Sequence, residues 1–197
     1  MNKPVAHAQP PARCANEAER RALIERAFAL GVPRGYGRSR HLHLQREPKW
    51  LASIGPDIQQ REQWLTPPAA RAFSALRDAA SRDGVELQIV SAFRSIAYQL
   101  GIVERKLQRG LAMHEILRVS AAPGYSEHHS GRALDITAPG YAPVEEIFER
   151  SAAFAWLTRN ASPFGFALSY PRGNRHGIAY EPWHWCWHEL PSRHPFP

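Results

Sequence analysis

Apolar residues recur at helical spacing through EAERRALIERAFALG, residues 17–31, where Ala22, Ile24, Ala27, Phe28 and Leu30 lie between charged neighbours. Asn16 before this stretch and Gly31 after it are start and stop signals, so a packing helix is predicted there. A second helix is predicted over about 69–82, opened by Thr66, Pro67 and Pro68 and ended by Gly84, with Phe73, Leu76 and Ala80 facing inward. VELQIVSAF, 85–93, alternates as a strand does and delivers Arg94 at its end. Residues 95–120 are predicted helical apart from Gly101 and Gly110. Val144 to Asn160 is predicted to form one or two helices, with Phe148, Phe154, Trp156 and Leu157 on the apolar side. Arg132 to Thr137, Phe164 to Tyr170 and Trp183 to Trp187 have strand-like alternation or composition. Between Val32 and Gln63, prolines and glycines break the pattern, and only HLHLQ, 41–45, alternates enough for a short strand.

The expected architecture is therefore α+β: a small, mostly antiparallel sheet of these four strands (85–92, 132–137, 164–170 and 183–187), helices packed against it, and a site in a cleft on the sheet. Residues 1–13, rich in Pro and Ala, are expected to be disordered, and 14–197 to form a single domain.

Composition refines this picture. Hydrophobic residues make up 44% and charged residues 22%, as in a soluble globular protein. The net charge of +7 invites a polyanionic partner. No basic run interleaved with aromatic residues is present, so nucleic acid is not expected; a wall carrying anionic polymers satisfies the same charge. No stretch approaches the length of a membrane span. The N-terminus lacks the apolar core of a secretory signal, which leaves a cytoplasmic location open. Cys14 and Cys186 cannot make a disulfide framework, and whether they meet is not legible.

The candidate chemistry lies in two pieces, SEHHSGRALD from Ser126 to Asp135 and EPWHW from Glu181 to Trp185. They supply His128, Asp135, His184 and Glu181. Catalytic zinc takes three ligands of the His and carboxylate type and keeps one position for water. His128, Asp135 and His184 would fill those three. Glu181, three residues before His184, is then free to act as the base that takes a proton from the zinc-activated water and returns it to the leaving group. His129 competes with His128, and spacing does not choose between them. Cys186 falls on the same strand face as His184, with a buried thiol as its plainest role. His41 and His43 lack a third ligand nearby, and His188 with Glu189 only imitates part of a metal motif.

SEHHSGRALD matches the pattern S-x-H-x-x-G-x-A-x-D, and EPWHW matches E-x-W-H, of the zinc D,D-carboxypeptidase family that includes the VanY-type vancomycin-resistance enzymes and related L,D-carboxypeptidases of peptidoglycan. SAFRSIAYQ, 91–99, resembles the family's S-x-[YF]-R-S-x-x-x-Q segment, and YPRGNRHGIAYEPWHW resembles its Y-P-x-G leader into the last motif. The resemblance implies zinc (Zn2+) held by His128, Asp135 and His184, Glu181 as catalytic base, and Arg94 steadying the developing negative charge. It also implies that Gln99 and Ser126 line the site and contact the peptide terminus. Peptidoglycan stem peptides are the implied partners, with the terminal D-alanine released by a chain expected to be a monomer in the cell envelope. Two other activities share these motifs: an endopeptidase of the phage-lysin kind, and a non-catalytic zinc module that binds the wall. Many relatives continue W-H-[WF]-R-Y-V, whereas this chain reads Trp185, Cys186, Trp187, His188; the lost arginine bears on substrate preference and not on the metal site.

Overall fold

The computed structural model describes residues 9–190. The expected helix at the N-terminus is α1, Glu17–Ala29, and Asn16 caps it by accepting the Glu19 N–H at 2.9 Å. Ile24 and Ala27 are buried, Phe28 and Leu30 half-buried, and Ala22 faces solvent, so the inward stripe is narrower than the sequence pattern suggested.

Most of what the sequence left unread lies between α1 and residue 66. A short helix α2, Tyr36–Ser39, places Tyr36 in the interior. HLHLQ is not a strand: His41 adopts a left-handed φ of 52°, Leu42 turns into the core, and both histidines are exposed. Strands β1, Ala52–Pro56, and β2, Glu62–Leu65, pair instead as an antiparallel hairpin. Gly55 and Pro56 hid it; the register shifts between Ser53 and Gly55, where φ is +93°.

Helix α3, Pro67–Arg82, follows, and then strand β3, Gln88–Ser91. Helix α4, Ile96–Gln108, is capped by Ser95 and runs through Gly101; Gly110 breaks the run before the short α5, Met113–Ile116. Strand β4 is Ala133–Thr137, and Ser151 caps α6, Ala152–Asn160. Strands β5, Phe166–Leu168, and β6, His184–Trp187, close the described chain. The four expected strands form one antiparallel sheet in the order β3-β4-β6-β5. Each is shorter than its sequence pattern.

One core lies between this sheet and helices α3 and α6, built on Phe73, Leu76, Leu134, Ile136, Leu157 and Phe166. A second packs α1 and Tyr36 against Tyr125, Tyr170 and Ile178. Residues 9–13 have no regular structure, although the Arg13 guanidinium donates to the Lys49 carbonyl at 2.6 Å; the rest of the expected disordered segment, 1–8, lies outside the described residues. Among the described residues, no helix is long and apolar enough to cross a membrane.

Candidate metal centre and active site

Strands β4 and β6 pair with Asp135 directly opposite His184, so their side chains leave the sheet on the same face. His128 arrives from the one-turn 3-10 helix Glu127–Ser130, which Gly131 ends at φ +65°. A Cβ on Gly131 would stand 3.1–3.2 Å from Pro48 Cγ, Leu51 Cδ2 and Thr66 Cγ2, so that turn needs a glycine. One ligand-capable atom from each of His128, Asp135 and His184 lies within 4.8 Å of the other two, and all three residues are buried.

Hydrogen bonding decides what these atoms want. The Ala92 carbonyl can only accept, so His128 Nδ1–H donates to it at 2.6 Å and leaves the Nε2 lone pair facing Asp135 Oδ2 at 3.3 Å. Glu127 likewise accepts His184 Nε2–H at 2.9 Å, which turns His184 Nδ1 toward Asp135 Oδ1 at 3.1 Å. With both rings neutral, two imidazole lone pairs and a carboxylate thus converge without a donor between them. A buried cluster of acceptors requires a cation.

The titration tendencies express the same demand. Without a metal a proton on His184 answers it: burial works against charge there, yet Asp135 and Glu127 raise its pKa to about 10, and Nδ1–H then donates to Asp135. Burial would raise Asp135, but the facing rings of His128 and His184 hold it well below the usual carboxylate range. His128 is pushed down by burial and stays a neutral imidazole. The donor set of two nitrogens and one oxygen is the kind zinc takes in catalytic sites.

Glu181 sits 3.8 Å from His184 Nδ1, beside the cluster and outside it. Burial, with the charge of Asp135, raises its pKa to about 7 against the pull of His184 and Arg94. Arg94 follows β3 and reaches within 3.6 Å of Asp135 Oδ2. Gln99 accepts from Arg94 Nη1 at 2.9 Å and donates to the Ala121 carbonyl at 2.9 Å, so both ends of its amide are engaged. It holds Arg94 and keeps one amide N–H for a ligand. Ser126 is buried at the start of the 3-10 turn. All seven residues expected from the sequence line one pocket of about 250 Å³.

His129 is settled by its neighbours. Its Nδ1–H donates to the Arg94 carbonyl at 2.6 Å and its Nε2 accepts the Gly124 N–H at 3.2 Å, so neither nitrogen is free for a metal. Burial holds its pKa down at about 3. Cys186 and Cys14 are separate free thiols. Burial, then Glu127, push the Cys186 thiol up, which keeps it protonated and unsuited to be a ligand. His188 and Glu189 are exposed.

Sequence reasoning missed Glu127 as a site residue. Its carboxylate also accepts from Ser169 Oγ at 2.6 Å; burial opposes its charge, yet His184 and Ser169 bring its pKa down to about 2. Its position next to His128 was the available signal. Its partner, His184, lies too far along the chain for spacing to pair them. Tyr170, whose ring centroid is 4.8 Å from that of His184, was read only as the end of a strand and the start of a leader motif.

Residues 62–190 match the family model VanY, D-alanyl-D-alanine carboxypeptidase. YodJ of Bacillus subtilis is 33% identical over 83% of this chain, and the D-alanyl-D-alanine carboxypeptidase of Enterococcus faecalis is 33% identical over 56% of it. The chain spans 58% and 43% of the lengths of those two relatives. The bifunctional D-Ala-D-Ala dipeptidase and carboxypeptidase VanXYC of Enterococcus gallinarum is 30% identical over 76% of this chain and 80% of its own. Among solved structures, the LdcB LD-carboxypeptidase superposes with a TM-score of 0.64 at 31% identity, over 72% of this chain and 69% of that one. A vancomycin-resistance D,D-pentapeptidase VanY in complex with Zn(II) gives 0.56 at 25% identity, over 75% of this chain and 87% of that one.

Proposed function

We propose, since the chain belongs to the VanY family of D-alanyl-D-alanine carboxypeptidases, that it is a zinc-dependent carboxypeptidase releasing the terminal D-alanine from peptidoglycan stem peptides. The observation that carries this reading is the convergence of His128 Nε2, His184 Nδ1 and the Asp135 carboxylate, with Glu181 alongside and outside that group. His128, Asp135 and His184 would hold the zinc. When bound, the metal supplies Lewis-acid polarisation of a carbonyl and acidifies water.

The remaining work belongs to side chains. Glu181, with its pKa raised to about 7, accepts a proton from the attacking water as the new C–O bond forms. It then delivers that proton to the amide nitrogen as the C–N bond breaks, leaving a free amine and a new carboxylate. Arg94, steadied by Gln99, offsets the charge that gathers on the carbonyl oxygen. Ser126 lines the wall beside the ligands, where it is in place to meet the peptide.

The test is incubation of the purified protein with tetra- and pentapeptide stems, with and without a chelator, followed by mass analysis. Loss of one alanine mass, abolished by chelator and restored by zinc, is expected. Cleavage within the stem would replace this reading with the endopeptidase, and zinc binding without cleavage of any stem would replace it with the wall-binding module.

A further inference from the structure

One cation in the pocket is unused by this chemistry. Lys106 lies on the same face of α4 as Gln99 and Ile102, and all three line the pocket. Its Cα is about 10 Å along the helix axis from that of Gln99. Helical side chains lean toward the N-terminus, so its stem points back toward the end where Gln99 and Arg94 stand. The ammonium is half-buried and donates to Ser120 Oγ at 2.9 Å. Among the described residues no carboxylate forms an ion pair with it, whereas Arg94 is already engaged by Asp135 and Gln99. Burial pushes the ammonium below the usual lysine range, then Arg94 and Arg109 do so, and Glu181 offsets this only in part. A half-buried ammonium in mostly cationic company calls for an anion from outside.

A carboxypeptidase must distinguish a chain end from a chain interior. The groups expected from the family pattern to meet that end, Gln99 and Ser126, are neutral, and Gln99 already holds Arg94 and the Ala121 carbonyl, so neither supplies a charge to pair with a carboxylate. We propose that Lys106, with Ser120, receives the C-terminal carboxylate of the substrate and is the specificity-determining residue for a free chain end. This rests on the carboxypeptidase reading and adds the residue that selects its substrate. The apolar Ile102 and Val119, which line the same pocket, suit a small side chain on the departing residue.

The decisive measurement is calorimetric binding to the zinc-loaded protein of three stem pentapeptides: the free acid, its C-terminal carboxamide, and a free acid whose internal carboxylates are amidated. Lys106→Met keeps the aliphatic stem, and Lys106→Arg keeps the charge. Lys106→Met is expected to weaken both free acids by about 10- to 100-fold and the carboxamide by less than about twofold, with Lys106→Arg recovering most of the loss. In turnover the same loss should fall on KM and leave kcat nearly unchanged. Equal weakening of acid and carboxamide, or sensitivity that disappears when the internal carboxylates are amidated, overturns the assignment. If the wild-type protein cleaves neither these nor the corresponding tetrapeptides, the carboxypeptidase reading fails, while the binding difference between acid and carboxamide still decides the role of Lys106.

Discussion

Glu127→Gln tests the metal centre through a residue that touches no metal in the proposed arrangement. Glu127 Oε2 takes two hydrogen bonds, from His184 Nε2 at 2.9 Å and Ser169 Oγ at 2.6 Å, in a setting where its carboxylate is held ionised with a pKa near 2. A glutamine carbonyl can occupy the same place and keep both bonds, so the fold should survive. What it removes is the negative charge, and hydrogen bonds to an ionised acceptor are about twice as strong as neutral ones. His184 Nδ1 becomes a weaker donor to the metal, and its tautomer is less firmly set. Partners of this kind are worth about 10- to 100-fold in metal affinity, or about 1.4–2.8 kcal/mol. Competition for zinc with a chromophoric chelator measures this directly. Ser169→Ala, which removes one bond and leaves the charge, should cost less than Glu127→Gln. A glutamine variant with wild-type zinc affinity and an unchanged melting temperature would refute the claim that Glu127 orients His184.

Three further outcomes are expected. Glu181→Gln should keep zinc stoichiometry, read by elemental analysis, and lose about 10²- to 10⁴-fold in kcat; near-normal turnover would remove Glu181 from the role of base. Gly165 has φ +83°, and a Cβ there would come within 2.5 Å of the His188 carbonyl. Gly165→Ala should therefore cost about 1–3 kcal/mol, seen as a lower thermal midpoint, with an unshifted midpoint counting against the strain. Asp57 is buried and accepts from the backbone N–H groups of Gln59 and Arg61 and from both the Arg61 and Gln63 side chains. Burial opposes its charge, yet these bonds hold its pKa below the ordinary value, so the folded state binds its proton less readily than the unfolded chain. That stability is complete above the unfolded pKa of about 4 and is lost as pH falls through the lower folded value. Asp57→Asn should flatten this acid limb in denaturant titrations at a series of pH values; an unaltered acid limb would show that Asp57 does not contribute to it.

The helices with clear caps were legible because their signals are local. Asn16 sits three residues before the backbone N–H it accepts and was read as a cap, whereas Ser95 and Ser151 make the same contact without having been singled out; Thr66 with Pro67 opens α3 through backbone geometry alone. Strand identities for β3 to β5 were legible from alternation, and that of β6 from its tryptophan-rich composition. The β1–β2 hairpin was not, because Gly55 and Pro56 imitate a loop while a shifted register absorbs them. HLHLQ failed the other way: its alternation is real, but its exposed histidines and buried Leu42 belong to an irregular segment.

By itself, the order of residues offered the candidate ligand types, the spare glutamate and the arginine, since each depends on which side chains stand at a few neighbouring positions. Only the folded chain decided their electronic state. The Ala92 carbonyl chooses which nitrogen of His128 carries the proton, and Glu127 does the same for His184 across 57 positions. Arg94 and Gly124 withdraw His129 from contention, Gln99 is tied to Arg94 and Ala121, and among the described residues Lys106 is left facing the pocket without an ion-paired carboxylate. Hydrogen bonds act over about 3 Å, and a linear pattern does not record which distant atoms come that close.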